Sequence, residues 1–379
     1  MIYLNNSATS YPKPDSVLDA VSLSLKQVPI SYSRTGIERE PDDVIYACRS
    51  KLSRLFQIED PLNIAFTSSA TESLNTAIMG LDLQGAKVIT TEIEHNSVLR
   101  PLNTLARDQV IVLEIAGRDK YGNISAESIE SLITSNTKLI VINHCSNVSG
   151  EVLEIAKIAE VAHRNKALIL VDASQSAGII DIKCTDWQID MLAFTAHKSL
   201  YGIQGLGGLY VSPNINLKPL KSGGTGVLSE YPYQPDRMPM KLEAGTSNLP
   251  GIIALSAGLD FIESIGIDTI RHHKKILFSK MKAELSKVPG LKIYNPESNN
   301  SYSNFTFGIE GFSPEEINYY LDSSFDIIVR SGLHCAPLAL QSLNIPRDGS
   351  VRVSPSYFTN ESEIDLFITA IKEIENLRG

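Results

Sequence analysis

Two side chains near the middle of the sequence have the chemistry to hold a carbonyl cofactor. Asp172 ends the apolar run Ile169-Leu170-Val171 and leads into Ala173-Ser174-Gln175, and Lys198 closes a second run, Phe194-Thr195-Ala196-His197-Lys198. A lysine amine condenses with an aldehyde to a Schiff base, and a carboxylate beside a pyridine nitrogen keeps that ring protonated and able to accept electrons. This is the layout of a pyridoxal-phosphate site, with Lys198 on the aldehyde and Asp172 on the ring nitrogen. An Asp after an aliphatic strand and a Lys beside a His also occur in many unrelated α/β proteins, so the spacing alone does not select this chemistry.

Three further stretches carry reactive or anion-binding groups. Thr67 to Asn75 is a small-residue turn opening a helix, whose free amides and dipole suit a phosphate; equally, Ser69 and Glu72 have the spacing of a plain capping box. Cys335 stands in Arg330-Ser331-Gly332-Leu333-His334-Cys335-Ala336-Pro337. A cysteine in apolar surroundings is commonly an inert core residue, whereas positive neighbours such as Arg330 and His334 favour a reactive thiolate. Arg352 has the planar fork for a bidentate grip on a carboxylate, or it is an ordinary strand-end arginine. The other cysteines, Cys48, Cys145 and Cys184, form no C-x-x-C pair and no His/Cys metal spacing, so neither a disulfide framework nor a metal site is expected.

The elements that must position these groups alternate. Strands are expected at 86–90, 110–113, 139–142, 167–172 and 190–195, with helices at 98–107 and 153–165 between them, preceded by a short apolar run at 63–66. Near-continuous apolar strands separated by helices predict a mainly parallel sheet covered on both faces, whose ligands sit at the carboxyl ends of the strands. His95, Asn147, Asp172 and Lys198 fall at or just beyond such ends. Before this region, Pro12 and Pro14 keep the opening segment extended until a helix begins near Asp15, and a loop is expected at 31–36. After it, helices and strands mix without strict alternation, which predicts a smaller α+β domain. The expected division is an extended segment at 1–14, a large α/β domain at 15–249 and a small domain at 250–379.

Composition narrows the class. With 379 residues, 43% of them hydrophobic, the chain can bury a substantial core, and a formal net charge of −9 argues against non-specific binding to nucleic acid or anionic membrane. The start lacks the basic and apolar blocks of a signal peptide and no apolar run approaches a membrane span, so a cytoplasmic enzyme is expected.

The wording of these stretches resembles the cysteine desulfurase and selenocysteine lyase branch of the class V aminotransferases, over nearly the whole chain. The resemblance rests on Ile169 to Gln175, Phe194 to Lys198 and Tyr201 to Tyr210, and it implies fold type I of the pyridoxal-phosphate enzymes. It implies that Ala70, Thr71, Thr195 and His197 bind the cofactor phosphate. His95, otherwise a loop or helix-start residue, would stack on the ring and exchange protons. Asn147, otherwise a turn former, would contact the ring hydroxyl together with Gln175. Thr246, in Glu243-Ala244-Gly245-Thr246-Ser247-Asn248, would reach the phosphate of a neighbouring subunit in a homodimer; its bland reading is a Gly-Thr turn.

Arg330 to Ala336 resembles the R-x-G-H-H-C-A motif of the second group of cysteine desulfurases, in which the cysteine takes sulfur from substrate. By that resemblance the chain converts L-cysteine to alanine, with Lys198 as base, Arg352 on the substrate carboxylate and Cys335 as persulfide carrier to an acceptor protein or small thiol. Three positions depart from the pattern. Leu333 replaces a histidine and cannot move a proton, Asn5 stands where Asp is usual, and Ser7 stands where Ala is usual. Selenocysteine lyase and class V aminotransferase are the nearest alternatives; a cofactor-free sulfur-carrier scaffold would have no use for Lys198 and Asp172.

Overall fold

The computed structural model describes residues 1–26, 43–119, 122–294 and 303–377. The loop expected at 31–36 lies outside the described residues. In chain order the first part comprises β1 (Ile2–Tyr3), α1 (Asp15–Lys26), α2 (Val44–Phe56), β2 (Ile64–Thr67), α3 (Ala70–Gly80), β3 (Ala86–Thr91), α4 (Asn96–Arg107) and β4 (Ile111–Ala116). There follow α5 (Ala126–Glu130), β5 (Thr137–Asn143), α6 (Ile155–Arg164), β6 (Leu168–Asp172), β7 (Met191–Thr195) and β8 (Gly207–Val211). Seven strands form one sheet in the order β2-β8-β7-β6-β5-β3-β4. Only the two pairings made by β8 are antiparallel. The mainly parallel sheet is therefore present, with helices supplying the apolar cover that such strands require.

Register brings the carboxyl ends of the central strands level. Asn143 of β5 stands beside Asp172 of β6, and Asp172 beside Ala193 of β7. The residues that follow these strands thus converge on one edge of the sheet. Gly207 lets β8 approach the start of α3, since a Cβ there would lie 2.5 Å from the Ser69 carbonyl carbon and 2.8 Å from the Ala70 nitrogen.

The second part comprises α7 (Leu249–Ile265), α8 (Ile267–Leu285), β9 (Leu291–Ile293), β10 (Phe305–Ile309), α9 (Pro314–Phe325), β11 (Ile327–Ile328), β12 (Arg330–Gly332), α10 (Pro337–Ser342), β13 (Ser350–Val353) and α11 (Glu361–Asn376). An antiparallel sheet β12-β13-β10-β9 packs under α8, α9 and α11. Its core holds Phe305, Phe307, Phe367, Leu277 and Leu321. Each such fully buried side chain stabilises the fold by about 1.5–3 kcal/mol. On α11 the buried Ile364, Phe367, Ile368, Ile371 and Ile374 follow a helical spacing, and Asn360 closes a capping box with Glu363.

Packing changes hands inside this second part, later than residue 250. Ile252, Leu255, Leu259 and Ile262 of α7 belong to the core of the large sheet, while the smaller core draws on α8 from Leu277 onward. The opening segment also crosses between the two. β1 pairs in parallel with β11, and Leu4 is buried in the smaller core. Residues 5–10 then run back to the large sheet's edge.

Candidate active site

A cavity of 290 Å³ lies at the carboxyl ends of the strands, where β12 and β13 meet the large sheet. Ala70, Thr71, His95, Asn147, Asp172, Gln175, Thr195, His197, Lys198, Cys335 and Arg352 all line it. Residues up to 345 apart in sequence are thus placed around one space (from 7 to 352, Ser7 also lining it). Thr246 does not line this cavity and is exposed on the surface.

Each side chain is held by its own element. Asp172 ends β6, and its carboxylate accepts hydrogen bonds from the Ser174 amide at 2.9 Å and the Ser174 hydroxyl at 2.5 Å. Nearby Glu94 is wholly buried, and burial pushes its carboxyl up to about 8. That acid is held neutral at pH 7, and Asp172 is the carboxyl of the two that lines the cavity. Lys198 is brought down to about 8, chiefly by burial, with Asp172 opposing the shift and Arg352 adding to it. An amine with that value supplies the neutral form near neutral pH, as attack on an aldehyde and removal of a proton both need.

The peptide carbonyl of His197, just before Lys198, is gripped by the opening segment. It accepts from the Ser10 amide at 3.0 Å, the Thr9 hydroxyl at 3.0 Å, the Ser10 hydroxyl at 3.2 Å and the Lys13 ammonium at 2.9 Å. Four donors on one carbonyl fix the path of the chain into Lys198.

His95 sits at a helix start that opens onto the cavity. It is the N-cap of α4, where its Nδ1 accepts from the Ser97 amide at 3.1 Å, and it also lines the cavity. Burial, then Lys198 and, against Asp172, Arg352 lower it to about 4, so the ring is neutral and, with Nδ1 accepting, carries its proton on Nε2. The start of α3 differs in detail from a reciprocal capping box. Ser69 accepts from the Glu72 amide at 3.2 Å, but the Glu72 carboxylate reaches back to the Ser68 amide at 2.7 Å and pairs with Lys221. Thr71 meets Ser97 hydroxyl to hydroxyl at 2.8 Å, joining the two helix starts.

Cys335 is the exposed thiol of the four; Cys48, Cys145 and Cys184 are buried. Burial raises all three, Cys145 to about 11, and so suppresses their thiolates. The Cys335 loop is short and clamped. His334 and Cys335 both have positive φ, 52° and 56°. The Asn96 amide donates to the Cys335 carbonyl at 2.8 Å, and the Asn147 side chain donates to the His334 carbonyl at 2.7 Å. His334 is buried, is lowered to about 3 by that burial and then by Arg352 and Arg330, and places its Nε2 3.1 Å from the Ser350 hydroxyl. It is a neutral support for the loop. Leu333, where a proton-carrying histidine is the usual residue of the family this chain resembles, is half exposed and does not line the cavity.

The residues present fit pyridoxal phosphate. His197 Nδ1, Asn147 Oδ1 and Arg352 Nε are buried without a partner, each a cost of about 1–3 kcal/mol that a polar ligand relieves. Ala70 and Thr71 supply a helix start for a phosphate, and Lys198 and Asp172 face the same space. Ser7, Ser97, Ser174 and Arg330 also line the cavity, although no role had been expected for Ser7, Ser97 or Ser174. Ser97 was open to detection, because it stands two residues past His95 at a helix start.

This sheet, the smaller sheet beside it and the cavity between them define a fold type I pyridoxal-phosphate enzyme. The family model of the class V aminotransferases matches residues 2–367. A probable cysteine desulfurase of Methanothermobacter thermautotrophicus is 31% identical, over 99% of this chain and 95% of that protein. Among solved structures, a cysteine desulfurase of Thermococcus onnurineus superposes with a TM-score of 0.88 at 29% identity, covering 99% of this chain and 94% of that one. The cysteine desulfurase CsdA of Escherichia coli gives 0.88 at 25% identity, with the same coverage. The chain belongs to the class V aminotransferase family, in its cysteine desulfurase branch.

Proposed function

We propose that this protein converts L-cysteine to L-alanine and carries the released sulfur on Cys335 as a persulfide. The observation that carries the reading is the meeting of an exposed, loop-mounted Cys335 and a partly buried Lys198 in one cavity. An aminotransferase needs the lysine but has no use for the thiol.

Arg352 binds the substrate carboxylate and so fixes which Cα bond is presented for cleavage. Lys198 takes the Cα proton, for which its lowered basicity is suited. Bound between Asp172 and the helix start at Ala70, pyridoxal phosphate supplies the electron sink for the negative charge left at Cα. The Cys335 thiolate attacks the substrate sulfur, the carbon–sulfur bond breaks and a sulfur–sulfur bond forms. Two protons then complete alanine, from Lys198 at Cα and from the remaining site groups at Cβ. Leu333 has no proton to give, so the proton for Cβ is the one that leaves the Cys335 thiol as it becomes the thiolate, and His95, which lines the same cavity, is the imidazole that carries it. The persulfide leaves by attack of an acceptor thiol, on a protein or a small molecule, at the exposed Cys335.

The holoenzyme with L-cysteine and a thiol reductant should give alanine and sulfide in equal amounts with no keto acid added. Alanine formed only when a keto acid is supplied supports the aminotransferase instead. Selenocysteine is a second substrate to compare by kcat/KM.

We read the assembly as a homodimer in which Thr246 serves the partner's phosphate, because the residue is exposed here and does not line this chain's own cavity. Sedimentation should give a dimer, and Thr246→Val should release cofactor more readily without altering the thermal midpoint of the cofactor-free protein. A monomer with full occupancy and full activity refutes this arrangement.

A further inference from the structure

We infer that Asn5 sets how tightly this site holds a carboxylate, by aiming Arg352 without neutralising it. The inference rests on the reading of Arg352 as the substrate's carboxylate anchor. Arg352 is 4% exposed and lies on β13. Its Nη1 donates to the Asn147 carbonyl at 2.9 Å and its Nη2 to Asn5 Oδ1 at 3.1 Å, while Nε has no partner. Both filled positions are neutral oxygens. Among the described residues no carboxylate lies in ion-pair contact with this guanidinium, and Arg330 adds a second positive charge nearby.

The placement of Asn5 is built into the backbone. Asn5 bridges to Ser354, two residues beyond Arg352; the Ser354 amide donates to the Leu4 carbonyl at 2.7 Å and the Asn6 amide to the Ser354 carbonyl at 3.0 Å. The Asn6 side chain adds a bond to that same carbonyl at 3.0 Å. Asn5 Oδ1 is therefore held against Arg352 by strand-like pairing on both sides of it.

An amide and a carboxylate have nearly the same shape and both accept from a guanidinium. They differ in charge. With an amide in place, the cost of burying Arg352 remains uncompensated until an anionic ligand arrives, and that ligand gains the whole attraction. With a carboxylate in place, the pair is satisfied internally and the substrate must compete with a fixed anion. The residue at position 5 is thus a positioning and affinity-setting residue that touches the anchor and acts through it.

The test compares inhibition of the holoenzyme by 3-mercaptopropionate, which has the carboxylate but no amine, and by cysteamine, which has the amine but no carboxylate. Asn5→Asp should weaken 3-mercaptopropionate by about tenfold, a difference of about 1.4 kcal/mol, and raise KM for L-cysteine similarly, with kcat changing less. Inhibition by cysteamine should not weaken. Asn5→Ala loses the hydrogen bond but adds no charge, so its penalty should be smaller than that of Asn5→Asp. If the near-isosteric Asn5→Asp binds 3-mercaptopropionate as well as the original, or Asn5→Ala loses more than Asn5→Asp, the role is structural and the inference is overturned. Arg352→Lys separates the two levels of the reading. Unchanged 3-mercaptopropionate binding in that variant removes Arg352 as the anchor, whereas weakened binding there with no effect of Asn5→Asp removes only Asn5.

Discussion

Cys335→Ala keeps its cofactor and still takes up L-cysteine, but its sulfur transfer falls by about a thousandfold or more, since the attacking atom is gone. Lys198, Asp172 and Arg352 all remain in place, so the loss falls on the step after Cα deprotonation. The exposure of Cys335 against the burial of the other three thiols makes the expectation specific. After treatment with cysteine, a mass gain of one sulfur should appear on the Cys335 peptide of the original protein. None should appear on peptides bearing Cys48, Cys145 or Cys184, whose burial raises their thiols and keeps them protonated, Cys145 included although it lines the cavity. Folding is not at risk, because the loop is held through its backbone carbonyls by Asn96 and Asn147. Alanine release from the alanine variant at the original rate would falsify the nucleophile assignment.

Lys198→Ala should abolish turnover, by about 10⁴-fold or more, and with it the visible absorbance of a covalently held cofactor. In the proposed mechanism one residue does two jobs, attachment and proton transfer, so no neighbour compensates. Arginine should not rescue it, because a guanidinium stays protonated where the Lys198 amine, at about 8, does not. Borohydride reduction should leave a pyridoxyl mass on the Lys198 peptide of the original protein only. The competing amines are Lys13, also at about 8 but hydrogen-bonded to the His197 carbonyl, and Lys274, also at about 8 but buried against the Pro355 carbonyl. Label found on either of them moves the assignment.

Where periodicity and punctuation decide local structure, the chain was open to reading. The strands ending at Asp172 and Thr195 were expected within a residue of where they lie, because continuous aliphatic runs between polar ends have few other uses. The helix from Glu361 was expected from its amphipathic spacing, which its buried face matches. Short elements were hidden. β12 is three residues, Arg330–Gly332, and α10 six, Pro337–Ser342; neither is long enough to show a period. β1 is two residues and exists only because Ile327 and Ile328, more than 300 positions away, offer an edge. The boundary at 250 followed a loosening of the pattern, but α7 packs into the first core, since the apolar face of a helix does not state which sheet will cover it.

Sequence by itself determined the parts: a parallel sheet, a lysine and an aspartate at strand ends, a helix start for phosphate, a cysteine among basic neighbours, and the family that these words resemble. Tertiary structure decided what each part experiences. Burial, which depends on neighbours remote in sequence, lowers Lys198 and His95, raises Glu94 and silences three of four thiols. Long-range pairing brings Asn5 to Arg352 and the Asn147 side chain to the His334 carbonyl, contacts that no local propensity encodes. Propensity and pattern act over a few residues, whereas desolvation and charge act through space, so the chemistry of the groups was legible in the chain but their energies were set by the fold.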